Sequence, residues 1–186
     1  MGKPVLTILV AAACMAKSHG SGEHLGRGGP ATQDTVVPFA GTMGPVRRTT
    51  SLTAARPALL RAVHVTRETG FDRVVFEFSG PAIPSYRVEY ITEPLRACGS
   101  GDVVSLAGTR RLVVRLEPAQ AHDSLGRATP GERALAPRLP AVLELRLLCD
   151  FEGQVDWAVG VAASRRFRVL EAAGPQRLFL DVRHRD

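Results

Sequence analysis

The 186-residue chain is poor in aromatic residues, with seven Phe, two Tyr and one Trp. So few rings argue against a function that stacks bases or sugars on an aromatic platform. Lysine is scarcer still, because only Lys3 and Lys17 occur among 24 basic residues. The remainder of the chain therefore lacks the lysine that a kinase-type phosphate site needs.

The chain also lacks a long apolar run. The longest, over residues 4–13, spans about 15 Å as a helix, which is half of a hydrocarbon core. It follows Lys3 and ends in small residues before Cys14, a pattern typical of a secretory signal with a lipobox. We therefore predict a signal segment over 1–14, lipidation of Cys14 and an extracytoplasmic, membrane-anchored lipoprotein. Simple secretion, or a misassigned start codon, is the alternative.

The positive charge is not concentrated. The net charge of +6 is divided evenly between the first 55 residues and the rest, and opposite signs share strand faces, as with Arg73 and Glu77. This pattern is typical of a mixed solvated surface, so we predict no nucleic-acid partner. The histidines at 64, 122 and 184 have no ligand spacing, and we predict neither a metal site nor a cofactor.

Residues 15–56 are rich in Gly, Pro, Ser and Thr and have no sustained apolar period. This composition predicts a disordered tether with a reach on the order of 35 Å. Val36, Val37 and Phe39 form its only apolar cluster, which either docks on the edge of the following domain or stays free.

From residue 57 onward the apolar pattern has a period of two, and turn residues separate short segments. No long amphipathic helix is apparent, so we predict an all-β, antiparallel β-sandwich over 57–186. The expected buried side chains are Val74, Phe76, Phe78, Leu145, Leu147, Trp157, Val159 and Leu180. The predicted strands cover 59–67, 71–79, 85–91, 103–106, 110–116, 141–149, 154–161, 165–170 and 176–183, with an irregular stretch over 117–140.

Several polar residues are candidates for a binding site. Tyr86 and Tyr90 share a face, where they either stack on a glycan ring or cap a sheet edge. A basic patch over 165–168 is solvated by default; if it binds a ligand, the anionic groups of a cell-envelope polymer are the expected partners. The candidate binding residues are Arg73, Tyr86, Asp123, Asp150, Glu152 and Arg177.

Two short motifs contain residue types found in catalytic signatures but lack the arrangement that catalysis requires. His122, Asp123 and Ser124 are neighbours on the chain, whereas a hydrolase triad converges from separate segments, so a loop bonded to its own backbone is expected. Residues 150–153 differ from the kinase magnesium motif by Glu152, and we expect a turn at Gly153 with Asp150 or Glu152 near Arg73 or Arg177. We therefore predict no catalytic residues.

Six blocks of sequence carry a family resemblance, which covers roughly residues 57–184. The blocks are GFDRVVFEF (70–78), GSG with a following V and L (99–106), PAQAHD (118–123), CDFEGQVDWAVGV (149–161), FRVL (167–170) and PQRLFLDV (175–182). In their order and spacing they resemble the AMIN-like domain of secreted proteins and lipoproteins of high-GC Gram-positive bacteria.

The resemblance implies a compact β-sandwich that localises its partner by contacting peptidoglycan or another envelope component, without a reaction of its own. A wall hydrolase and a protein–protein interaction domain are the competing functions. The oligomeric state stays open.

Cys98 and Cys149 are the cysteines left once Cys14 carries lipid. Outside the cytoplasm nothing keeps an even pair of thiols reduced, and both residues lie next to predicted turns. We therefore predict a disulfide between them, with two independent buried thiols as the alternative.

Overall fold

A computed structural model describes residues 39–53 and 56–185, and every helix or strand assigned in those ranges is a strand. The described part of the chain therefore offers no apolar helix long enough to cross a membrane. The strands are β1 (Val46–Arg48), β2 (Ala58–Arg67), β3 (Phe71–Ser79), β4 (Ser85–Ile91), β5 (Arg110–Glu117), β6 (Ala119–Gln120), β7 (Ala134–Leu135), β8 (Val142–Phe151), β9 (Gln154–Val161), β10 (Phe167–Ala172) and β11 (Gln176–Arg183).

The strands form two sheets that pack face to face. The six-stranded sheet has the order β1-β4-β5-β9-β8-β7, and the five-stranded sheet has the order β10-β11-β3-β2-β6. All neighbours are antiparallel except β2 and β6, which pair in parallel over two residues. The all-β, antiparallel sandwich predicted from the sequence is confirmed.

The period of two places one face of each strand in the core. In β3, Val74, Phe76 and Phe78 are buried, whereas the residues between them are partly exposed. The ring of Phe76 meets the indole of Trp157 from the other sheet edge-on, with centroids 6.4 Å apart. Burial of each such side chain contributes about 1.5–3 kcal/mol to the free energy of unfolding. The apolar faces of the two sheets therefore pack against each other.

Seven of the eight predicted core side chains are buried, and Leu147 is the exception. Leu147 packs only partly against the core because a β-bulge interrupts the pairing of β8 with β9 between Leu147 and Cys149. A bulge adds a residue to one strand and shifts which side chains point inward, which strict alternation does not reveal.

The predicted strand over 103–106 is wrong. Only Val103 makes an isolated bridge, to Arg96, and residues 95–104 form a small hairpin that lies over the outer face of the six-stranded sheet. A disulfide joins Cys98 of this hairpin to Cys149 of β8, with the Cα atoms 5.1 Å apart. The chain that follows approaches β9 so closely that a Cβ at Gly160 would overlap the carbonyl oxygen of Ala107.

The sandwich begins earlier than the sequence predicted. β1 pairs with β4, and Thr42 bridges to Phe167, so residues 39–53 of the predicted tether contribute to the fold. Phe39 contacts the ring of Phe71 at 5.8 Å between centroids. These contacts are long-range pairings that composition cannot indicate. The irregular stretch 117–140 likewise contains the short strands β6 and β7.

Candidate functional site

The outer face of the five-stranded sheet carries a cluster of arginines and phenylalanines. Arg168 of β10, Asp181 of β11 and Arg73 of β3 are direct neighbours across three strands. Their side chains point away from the core because successive residues of a strand point to opposite faces, and the adjacent Phe167, Val182 and Val74 are buried in the core. We call this cluster the arginine ladder; it consists of Arg73, Arg168, Arg177, Asp181, Phe39, Phe71 and Phe179.

Asp181 holds the ladder together. Its side chain is fully buried although it lies on the outer face, because two guanidinium groups cover it. Arg73 donates from Nε to Oδ1 at 2.7 Å and from Nη2 to Oδ2 at 2.9 Å, and Arg168 donates from Nε to Oδ2 at 2.8 Å. The hydrogen bond to Asp181 raises the pKa of Arg73 above its ordinary value.

Phenylalanine rings fix the guanidinium planes from the side. The Cζ atom of Arg73 lies 4.8 Å from the ring centre of Phe179, and that of Arg168 lies 4.5 Å from the ring centre of Phe39. Phe71 lies between them, within 5.3 Å of both Cζ atoms. Such cation–π contacts orient a guanidinium without consuming its hydrogen-bond donors.

The ladder therefore retains unused donors in a fixed arrangement. Within the described chain, Nη1 of Arg73 and both terminal nitrogens of Arg168 have no hydrogen-bond partner. Arg177 extends the same face, with its Cζ atom 5.5 Å from the ring centre of Phe179. Guanidinium groups held in this way bind carboxylate or phosphate groups well, since their orientation is already determined.

The arginine ladder contains two of the predicted site residues, Arg73 and Arg177, and the other four lie elsewhere. Tyr86 is buried, and its hydroxyl donates to Oε1 of Glu171 at 2.9 Å. Burial is the main cause that raises the pKa of Tyr86 to about 12, and the bond to Glu171 adds to it. Tyr90 likewise donates its hydroxyl to the carbonyl of Arg165, at 2.8 Å.

The acidic candidates form local structure. Asp123 accepts hydrogen bonds from the backbone of Leu125 and Arg127, and the Arg127 backbone bond lowers the pKa of Asp123 below its usual range. Asp150 accepts from the backbone of Ala121 and meets Nδ1 of His122 at 2.9 Å. The expectation that Asp150 or Glu152 meets Arg73 or Arg177 is therefore wrong.

Glu152 and Gly153 form the turn between β8 and β9. Both have positive φ values, 50° and 80°. The turn expected at Gly153 is therefore present. His122 points to Asp150, and Asp123 bonds Arg127 within its own loop. The neighbouring residues His122, Asp123 and Ser124 are therefore not arranged as a hydrolase triad.

Apart from the arginine ladder, the structure has a cavity on the six-stranded sheet, beneath the disulfide-linked hairpin. It has a volume of about 200 Å³. Four of its five charged side chains form ion pairs, Arg115 with Asp156 and Arg87 with Glu89, and Arg96 donates to the carbonyl of Gly101. Within the described residues no cluster of three or more His, Cys, Asp or Glu is arranged to hold a metal ion. The arginine ladder is therefore the candidate site with donors available to a ligand.

Sequence reasoning included Arg73, Arg177 and the 165–168 patch but missed Asp181, Phe39, Phe71 and Phe179. Alternation alone could have placed Arg177, Phe179 and Asp181 on one face of β11. The pairing of Arg168, Asp181 and Arg73 depends on strand register, which only the structure supplies.

The model of the AMIN-like domain family matches residues 58–184, about two thirds of the chain. Domains of this family are extracytoplasmic modules associated with the cell envelope, generally without catalytic activity. No curated protein matches the chain.

Proposed function

Because the chain belongs to the AMIN-like domain family, we propose that it is a non-catalytic module that binds peptidoglycan or another polymer of the cell envelope. The observation that carries this proposal is the arginine ladder. Its donors are fixed by a buried carboxylate and by stacked rings before any ligand arrives. A preorganised site loses less side-chain entropy on binding than a flexible one.

The chemistry of the ladder favours anionic groups. Arg73 and Arg168 share the carboxylate of Asp181, and Arg177 lies opposite Glu77 of β3, so these three arginines outnumber the two carboxylates of the face by one. Envelope polymers present such anions as peptide carboxylates and as phosphate groups. Both are planar or tetrahedral oxyanions that a guanidinium edge recognises.

We further propose that the domain is anchored to the membrane through lipid on Cys14. The basis is the sequence pattern of residues 1–14, which lie outside the described residues. Residues 15–38 would then connect the anchor to the sandwich. Their composition remains that of a tether, whereas residues 39–53 belong to the fold.

Sedimentation with insoluble cell wall tests the binding function. The purified protein is mixed with intact wall and with wall stripped of phosphate polymers by acid, beside an unrelated basic protein. Arg168→Gln is expected to weaken retention at least about tenfold, since a charge-assisted hydrogen bond contributes about 1.5–3 kcal/mol. Retention that is lost only on stripped wall identifies the phosphate polymers as ligand, and unchanged retention identifies peptidoglycan.

Arg47→Gln is the matched control. Arg47 is an exposed arginine on β1 of the other sheet, and no ion pair involves it within the described chain. The proposal is contradicted if the two variants lose retention equally, because the effect would then reflect net charge. Binding no stronger than that of the unrelated basic protein would contradict it as well.

A further inference from the structure

Most of β2 forms an open edge of the five-stranded sheet. The strand pairs with β3 along its length, but its other side pairs with β6 only at Ala58 and Leu59. Residues 61–67 therefore have one side without a neighbouring strand in the described chain. An open edge of this length presents unpaired backbone groups and is a template for a further strand.

The turn after β2 determines which backbone groups point outward. The N–H of Glu68 donates to the carbonyl of Phe71, so this pair is hydrogen-bonded. In an antiparallel ladder bonded and non-bonded pairs alternate, so Thr66 and His64 bond β3. Val63, Val65 and Arg67 consequently direct their N–H and C=O groups to the open edge. No hydrogen bond from the loops of the described chain reaches those groups.

An apolar groove of about 580 Å³ runs beside this edge. One wall is formed by residues 63–66, which include Val63 and Val65, and the other by Leu135 of β7 with residues 136–137. A strand added to β2 would thus find backbone partners at the edge and an apolar surface for every second side chain. This combination is the one by which strand-adding domains obtain affinity and specificity.

The charge around the groove is net positive, because four arginines outnumber the neighbouring Glu68 and Glu132. Arg61 and Arg67 are exposed near the two ends of the open edge, and Arg133 and Arg138 flank the opposite wall along the chain. None of the four forms an ion pair within the described residues. A two-fold pairing of two copies centred on His64 would bring Arg61 towards Arg67, which disfavours a second copy as the occupant.

We propose that the open edge of β2 binds an extended, acidic peptide segment of a partner protein as an additional antiparallel strand. Apolar side chains of the peptide lie in the groove opposite Val63 and Val65, and acidic side chains alternate with them. This interaction is independent of polymer binding by the arginine ladder, which lies on the outer face of the same sheet.

The test uses the full chain and the acetylated peptide Glu-Val-Glu-Val-Glu-Val-Glu with an amidated C-terminus. Groove-facing valines opposite Val63 and Val65 donate their N–H groups to β2, whereas the glutamate N–H groups point to solvent. N-methylation of the valines should therefore weaken binding at least about tenfold in calorimetry, and N-methylation of the glutamates should leave it nearly unchanged. Amide resonances of residues 63, 65 and 67 should shift on binding.

Two variants examine the protein side. Val65→Pro removes an outward N–H at a position where an edge strand tolerates proline, and it should abolish binding while the thermal transition persists. The double variant Arg61→Glu and Arg67→Glu should lower the affinity for the acidic peptide. It should raise the affinity for a version of the peptide with Lys in place of Glu. The double variant Arg47→Glu and Arg110→Glu, at exposed positions of the other sheet, changes the net charge by the same amount and is the control.

Equal loss of affinity with both N-methylated peptides would overturn the proposal, because binding would then not follow strand geometry. So would an unchanged affinity in the charge-reversed variant. Slow amide exchange at 63, 65 and 67 without peptide would show that the chain itself or a second copy occupies the edge. Sedimentation velocity distinguishes those two occupants, and either result also overturns the proposal.

Discussion

At the scale of single residues, Asp181 is the side chain on which the arginine ladder depends. It is fully buried and accepts hydrogen bonds from two guanidinium groups. Asp181→Asn keeps the shape but leaves two arginines without their anion. We expect the free energy of unfolding in urea to fall by on the order of 3 kcal/mol, the lower end of the range for a broken buried pair, because both arginines reach solvent.

Asp123→Asn is the matched control for that measurement. Asp123 also bonds an arginine, but the Arg127 side chain is largely exposed and the contacts are confined to one turn. Its effect on stability should be clearly smaller than that of Asp181→Asn. Equal effects would mean that Asp181 is no more important than a surface carboxylate.

Tyr86 makes the stability depend on alkaline pH. Its pKa is raised from 10.0 to about 12, mainly by burial. The protonated form is thus favoured by folding, so the stabilisation is complete below pH 10 and is lost as pH rises towards 12. Tyr86→Phe should lose about 1 kcal/mol at pH 7, from the bond to Glu171, and should show a flatter decline between pH 10 and 12.

Thermal unfolding of both proteins across pH 7–12 measures the effect of Tyr86. Tyr90→Phe is a useful comparison, because Tyr90 donates to a backbone carbonyl instead of a carboxylate. Parallel pH profiles for the wild-type protein and Tyr86→Phe would contradict the assignment.

At the scale of elements, the disulfide fastens the 95–104 hairpin to β8. It closes a separation of 51 residues. The chain-entropy model assigns about 4 kcal/mol to a loop of this length. The double variant Cys98→Ala and Cys149→Ala should lose stability of this order, and reduction of the wild-type protein should give a similar loss.

Alkylation of the unreduced, denatured protein checks the bridge directly. Peptides that contain Cys98 and Cys149 should stay unmodified until a reductant is added. Modification of both without reductant, in protein secreted to an oxidising compartment, would contradict the disulfide.

Elements with a clear period of two could be predicted from the sequence, and elements defined by long-range pairing could not. β3 alternates strictly, so its buried face was evident. β1 has three residues and is a strand only because it pairs with β4, some 40 positions along the chain. The apolar segment 103–106 satisfied the strand pattern but is held over a sheet face by the disulfide instead of within a sheet.

The same distinction applies to the candidate site. Residue types showed that Arg73, Arg177 and the 165–168 patch could bind anions. The shared contact with Asp181 required the register of β10, β11 and β3, which depends on the turns between the strands. The contribution of Phe39 could not be predicted either, because its partner Phe71 lies in a different predicted segment.

At the scale of the whole molecule, the two sheets differ in what they expose. The hairpin and the disulfide cover part of the outer face of the six-stranded sheet, where Arg115 is paired with Asp156 and Arg87 with Glu89. The five-stranded sheet presents the arginine ladder on its face and an open edge along β2. One sheet therefore carries both proposed contacts, and the other supports the fold.

The proposed lipid anchor is tested on the whole protein in its native host. Cys14→Ser removes the thiol that would carry lipid, and anchoring contributes about 0.8 kcal/mol for each buried methylene. The wild-type protein should fractionate with membranes, and the variant should appear in the soluble envelope fraction or the medium. Arg168→Gln in the same host should keep membrane association while losing wall binding, which separates anchoring from recognition. Unchanged membrane partition of Cys14→Ser would contradict the anchor and leave the proposed polymer contact to be judged by sedimentation alone.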